Sequence, residues 1–207
     1  MSYILGVDFD NTLVNYDEVL WKTAQRMGFL NHGVGGVKKN IRDAIRCLPE
    51  GEIKWQKVQA YAYGKAMDEA ILIDGVEGFF RACRRDNIPV YIVSHKTELA
   101  AQDTEKINLR TAALAWMEKK RFFDKDGLAL CRDQIFFEST RQAKVERIRQ
   151  LACTHFIDDL QETFMENFFP AGITKILYSS QNEGLLDESL MVMHSWKQIY
   201  DYFFNDR

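Results

Sequence analysis

The chain has 207 residues, of which 46% are hydrophobic and 28% charged, and a formal net charge of −3. A chain of this length buries roughly 70% of its unfolded surface and needs no staple to fold. The mildly acidic balance excludes a global basic field that would attract nucleic-acid polymers or anionic membranes, and no apolar stretch approaches the roughly 20 residues of a membrane helix.

Cys47, Cys83, Cys131 and Cys153 are widely spaced and form no Cys-x-x-Cys pair. That pattern predicts free thiols in a reducing compartment rather than zinc or disulfides. No basic segment followed by a long apolar run opens the chain, so the expected location is the cytoplasm.

Tyr3-Ile4-Leu5-Gly6-Val7 is an apolar run short enough for a buried strand, predicted near 3–9. It passes directly into Asp8-Phe9-Asp10-Asn11-Thr12-Leu13. Two carboxylates where an apolar strand yields to a polar loop are costly to place unless they meet partners or a metal. The carboxyl end of a strand in an open α/β sheet is also where such sheets hold ligands. On extended chain, residues i and i+2 point the same way.

From about Asn15 to about Asp74 the chain shows no clear strand. Val19, Leu20, Ala24 and Met27 recur at helical spacing, as do Trp55, Val58, Ala62, Ala66 and Ala70. A loop-like Asn31-His32-Gly33-Val34-Gly35-Gly36 separates them, followed by Lys38-Lys39-Asn40-Ile41-Arg42. This reads as a helical cap inserted directly after the first strand. Lys38 and Arg42 either meet an anionic substrate from that cap or belong to a solvated helix face.

Val90-Tyr91-Ile92-Val93 predicts a second strand near 89–94, ending in Ser94 and followed by His95 and Lys96. A polar stretch to Arg110 leads into a helix over Asn108 to Lys120. Further strands are predicted near 134–137, 154–158 and 174–178. Ser139-Thr140-Arg141-Gln142 and Ser195-Trp196-Lys197-Gln198 have the capping-box form and start two helices. Lys144 falls near the start of the first. Phe156-Ile157 runs into a second acidic pair, Asp158-Asp159.

The alternation predicts an α/β protein. Its Rossmann-like three-layer α/β/α core, residues 1–14 and 75–207, has a mainly parallel five-stranded sheet, and the helical cap spans 15–74. Convergence of Asp8, Asp10, Asp158 and Asp159 would make a strongly negative site. A hard divalent cation such as Mg²⁺, which prefers oxygen ligands, would balance it.

In order and context these motifs, from near Tyr3 to near Leu160, resemble the haloacid dehalogenase superfamily, whose members are mostly phosphatases. The resemblance implies Asp8 as the nucleophile that forms an aspartyl-phosphate, and Asp10 as the acid and base. It implies Ser94 and Lys144 as phosphate contacts. Mg²⁺ would be held by Asp8, by the backbone carbonyl of Asp10 and by Asp158, with Asp159 holding a metal water or orienting Lys144. Lys96 is a rival for the phosphate contact, and Asn11 and His95 are possible substrate contacts. Asn11 stands where the family often has Gly, and Asn tolerates the backbone angles of such a turn. An Asp at position 10 argues for phosphoryl chemistry over carbon–halogen cleavage.

The expected function is hydrolysis of a small soluble phosphate monoester. The alternative is a phosphotransferase or sugar phosphomutase using the same aspartates, and a catalytically inactive binding or regulatory member is the third possibility.

Overall fold

The structure, a computed structural model, describes residues 3–31, 36–179, 187 and 189–205. The predicted loop segment around His32 lies partly outside the described residues.

The strands are β1 (Leu5–Val7), β2 (Val14–Asn15), β3 (Ile71–Leu72), β4 (Val90–His95), β5 (Ile135–Glu138), β6 (His155–Asp158), β7 (Thr174–Tyr178) and β8 (Met191–Met193). The helices are α1 (Asp17–Arg26), α2 (Lys38–Arg46), α3 (Gly51–Tyr63), α4 (Val76–Arg85), α5 (Leu109–Lys119), α6 (Arg141–Gln150), α7 (Gln161–Phe164) and α8 (Trp196–Phe204). Among the described residues no helix is long and apolar enough to cross a membrane.

Six strands form one sheet in the order β5-β4-β1-β6-β7-β8, and every pairing in it is parallel. The five strands expected from the sequence are all present. The sixth, β8, corrects the strand count. Its residues are Met-Val-Met, with neither an alternating pattern nor a β-branched run, and it gains its ladder by pairing with β7. The segment expected to lack strands begins and ends in β2 and β3, which make a separate two-stranded sheet.

Contacts divide the chain into two compact units. The first is Met1–Val14, Leu72–Lys96 and Arg121–Arg207; the second is Asn15–Ile71 with Thr97–Lys120. The second thus takes in α5 as well as α1, α2 and α3. Trp116 of α5 donates from Nε1 to the Ala70 carbonyl at 2.9 Å. That bond satisfies a buried indole N–H inside this unit. Its core includes Val19, Leu20, Ile41, Ile45, Trp55 and Val58.

In the first unit the sheet is covered on both faces. Successive residues of a strand point to opposite sides. Phe156 packs with Ile148 of α6 and Phe164 of α7. His155, its neighbour, meets the ring of Phe203 of α8 at 5.1 Å on the other side. There α4 and α8 pack together through Phe79, Trp196 and Phe203. These apolar residues recur at i, i+3 and i+7 along α8 (Trp196, Ile199, Phe203), so one stripe of the helix is buried. Ser195 caps α8 as expected, its hydroxyl accepting from Gln198 N. The cap of α6 is Thr140 rather than Ser139, with Thr140 Oγ1 accepting from Ala143 N at 3.0 Å. Two adjacent hydroxyls offer the same local signal; the chain turns so that the second one faces the free N–H groups.

Candidate active site

The strand order reverses direction at β1. The chain runs outward through β4 and β5, then returns to the other side of β1 for β6, β7 and β8. The crevice beyond the carboxyl ends of β1 and β6 is therefore a topological switch point, the place where open α/β sheets bind ligands. Val7 pairs with Ile157, and Asp8 N donates to the Ile157 carbonyl at 2.8 Å. Asp8 and Asp158 thus emerge side by side at that crevice. Beyond Asp8 the chain turns sharply. Leu13 N and Val14 N both donate to the Phe9 carbonyl, and Asn11 N donates to Val14 O at 2.9 Å. Asn11 has φ +60°, the left-handed conformation expected where relatives of the motif carry Gly.

Two buried lysines sort the carboxylates. Lys144, in the first turn of α6, is only 2% exposed. Its Nζ donates to Asp8 Oδ1 at 2.6 Å and to Asp158 Oδ2 at 2.7 Å. Lys96, 3% exposed, donates to both oxygens of Asp10, at 3.0 and 2.8 Å. Its ammonium also lies 5.6 Å from the centre of the buried Phe9 ring. The two candidates for one phosphate contact therefore have different carboxylate partners. Asp158 is oriented further by Leu160 N, which donates to its Oδ1 at 3.0 Å.

Asp8, Asp158 and Asp159 each present a carboxylate oxygen, all within 4.8 Å of one another. Solved structures share the fold of this chain. A haloacid dehalogenase family hydrolase from Deinococcus radiodurans R1, with bound phosphate and sodium, aligns at a TM-score of 0.55 and 13% identity, over 99% of this chain and 96% of that one. A haloacid dehalogenase-like protein from Streptococcus pneumoniae aligns at 0.57 and 16%, over 98% of both chains. A superfamily hydrolase of subfamily IA from Geobacter sulfurreducens aligns at 0.57 and 10%, over 97% and 96%. The chain has the haloacid dehalogenase superfamily fold. No family model matches the sequence, and no curated protein is significantly similar to it.

Within the haloacid dehalogenase fold the electrostatics of this chain are specific. Burial pushes the Asp8 carboxyl up from 3.8 to about 6; the Lys144 charge opposes that rise, and Asp158 and Asp10 add to it. Burial acts the other way on Lys144, but the Asp158 and Asp8 carboxylates outweigh it and hold the amine well above the ordinary lysine value. Four carboxylates (Asp8, Asp10, Asp158, Asp159) against two ammonium groups leave negative charge in excess. An all-carboxylate donor set with excess negative charge fits a hard divalent cation. Asp159 lies close enough to Asp8 and Asp158 to be a direct ligand, not only a partner for a metal water.

The remaining sequence candidates divide in two. Ser94 is buried at the carboxyl end of β4, the strand next to β1, and so belongs to the same edge of the sheet. His95, the last residue of that strand, is exposed and donates from Nε2 to the Ser139 carbonyl at 3.2 Å. Burial draws its pKa below the ordinary imidazole value, against the opposing pull of that carbonyl. Lys38 and Arg42 lie on α2 in the second unit. The Lys38 backbone N–H donates to Asp17 Oδ1, and the Arg42 guanidinium donates to Asp43. One residue escaped sequence reasoning. Trp196, which the sequence placed only in a helix-start stretch, donates from Nε1 to the Thr12 carbonyl at 2.9 Å and pins the turn after β1. The usable signal was chemical: a buried indole N–H needs an acceptor.

Proposed function

We propose that the protein is a Mg²⁺-dependent phosphomonoesterase acting on a small phosphorylated metabolite through an aspartyl-phosphate on Asp8. The observation that carries this reading is the Lys144 ammonium bridging Asp8 and Asp158, with Asp159 beside them and Asp10 on the same turn. Phosphate bound to the Deinococcus protein of the same fold supports a phosphoryl ligand.

Phosphate monoesters resist attack because an anionic nucleophile must approach an anionic group, so positive charge and fixed geometry matter most. In this reading Lys144 orients the Asp8 carboxylate and offsets charge on the phosphoryl oxygens. One Asp8 oxygen forms the bond to phosphorus as the ester P–O bond breaks. Asp10 delivers a proton to the departing oxygen. It then takes one from the water that attacks phosphorus, which releases phosphate and restores the Asp8 carboxylate. Asp8, Asp158, Asp159 and the Asp10 carbonyl would hold Mg²⁺, which supplies positive charge toward the phosphoryl oxygens. Ser94 would donate to one of those oxygens. The expected compartment is the reducing cytoplasm, where Cys47 and Cys131 remain exposed thiols.

The test is release of inorganic phosphate from p-nitrophenyl phosphate and from a panel of phosphorylated metabolites with Mg²⁺ present. The wild-type protein should turn over the aryl ester and at least one metabolite, and Asp8→Asn should fall to the rate of buffer alone while remaining folded. Release of phosphate by Asp8→Asn at the wild-type rate would remove the nucleophile assignment. Failure of the wild type on every ester would remove the function.

A further inference from the structure

Beside the turn after β1 lies a second buried cation that the reaction above does not use. Lys96 sits just beyond β4, and its backbone N–H is tied to the Glu138 carbonyl at 2.9 Å. Its backbone is thereby anchored to the neighbouring strand β5. Its ammonium reaches both Asp10 oxygens and lies near the ring of Phe9. Phe9 is fully buried and itself packs edge-on against Phe137 of β5 at 6.0 Å. Asp10 is the more exposed partner, with 18% of its side chain accessible against 2% for Lys96. The lysine is thus the fixed member of the pair, and the carboxylate follows it.

Resting on the phosphatase reading, we propose that Lys96 is a positioning residue for Asp10, aiming the carboxyl group at the departing oxygen of the ester rather than binding the transferred phosphate. Two contacts to one ammonium restrict the rotation of a short side chain. A proton donor contributes only when held within reach of its acceptor. Lys144 already serves Asp8 and Asp158, so the two lysines divide the site between the attacking and the departing side.

The division predicts a dependence on the leaving group. An aryl phosphate departs as a stabilised phenolate and needs little protonation, whereas an alkyl phosphate needs a well-placed acid. Lys96→Met should cut kcat/KM, which reports the step in which the leaving group departs, by about 100-fold or more on an alkyl phosphate and by no more than about 5-fold on p-nitrophenyl phosphate, while the later water step, which Asp10 also serves, slows equally for both esters. Asp10→Asn should show the same selectivity in kcat/KM, and adding Lys96→Met to it should cost little more, because residues in one chain of action are not additive. Lys96→Gln serves as a second neutral variant should the methionine form fold poorly.

Equal losses of kcat/KM on both esters would make Lys96 a phosphate contact and overturn the proposal, as would an unchanged enzyme. Crystal structures of wild type and Lys96→Gln decide the same point without turnover. Displacement of the Asp10 carboxylate supports positioning, and an unmoved carboxylate refutes it. A wild-type protein inactive on every ester would overturn the phosphatase function, while the crystal comparison would still rule on the Lys96–Asp10 relationship.

Discussion

The Trp196 indole N–H donates to the Thr12 carbonyl at 2.9 Å, joining the start of α8 to the turn that follows Asp8 and Asp10. Gly75, with φ +86°, permits this approach, since a Cβ there would lie 2.8 Å from Trp196 Cβ. Trp196→Phe keeps most of the apolar volume but leaves the carbonyl without its donor. Loss of a buried partner costs about 1–3 kcal/mol, so denaturant unfolding should register a loss of that order. Trp196→Ala should cost more, about 3–5 kcal/mol, by adding a cavity.

Asp8 sets a pH dependence with a definite sign. Its carboxyl titrates at about 6 in the folded protein against the ordinary 3.8, chiefly because it is buried. Between those values the folded state keeps a proton that the unfolded chain releases. Stability from this group is therefore fully present below the unfolded value and is lost as pH rises through about 6. The difference amounts to about 3 kcal/mol for a shift of that size. In EDTA, Asp8→Asn should lack this loss. Wild type should be the relatively weaker of the two at pH 7.5 and recover against the variant at pH 4, by urea unfolding at each pH. A stability gap that stays constant across that window would refute the assignment.

Mg²⁺ should stabilise the folded protein independently of any turnover. A ligand that binds only the folded state adds about 2.7 kcal/mol at 100 times its dissociation constant. Asp159 is within 4.8 Å of the other two carboxylates. Asp159→Asn should therefore shrink the Mg²⁺-induced rise in unfolding midpoint. Calorimetric titration of Mg²⁺ into both proteins checks the same point, and equal affinities would exclude Asp159 as a ligand.

Gly6 allows β1 and β6 to carry their load. A Cβ at Gly6 would sit 2.5 Å from Phe156 Cδ2 and 3.0 Å from Cys153 Sγ, both in the buried layer against α6. The Lys144 ammonium lies 5.4 Å from that same Phe156 ring. Gly6→Ala should overpack the layer and cost about 1–3 kcal/mol in chemical denaturation. Adding Phe156→Leu should recover part of the loss by making room; a variant as stable as wild type would show that the ring yields freely.

Much of the frame was legible because it is written locally. Val90-Tyr91-Ile92-Val93 and Phe156-Ile157 are apolar runs halted by polar residues, and both became strands of the parallel sheet. Asn108, an ordinary N-cap type, accepts from Arg110 N and Thr111 N. β8 was not legible, since Met-Val-Met carries no strand pattern of its own and is ordered by β7. Nor did the hydroxyls of Ser139 and Thr140 differ in sequence; the direction of the turn into α6 chose between them.

By itself, the sequence determined the order of the parts. Short-range patterns of apolar and polar residues place acidic pairs, a serine and two lysines at strand ends and a helix start, because strand and helix periods act over a few residues. Only the tertiary structure decided which charges meet. Lys144 reaches Asp8 across 136 residues, Lys96 reaches Asp10 across 86, and Trp196 reaches Thr12 across 184. Those pairings follow from strand order and register, which bring distant chain segments to one crevice, and no local pattern encodes which partner a long side chain will find there.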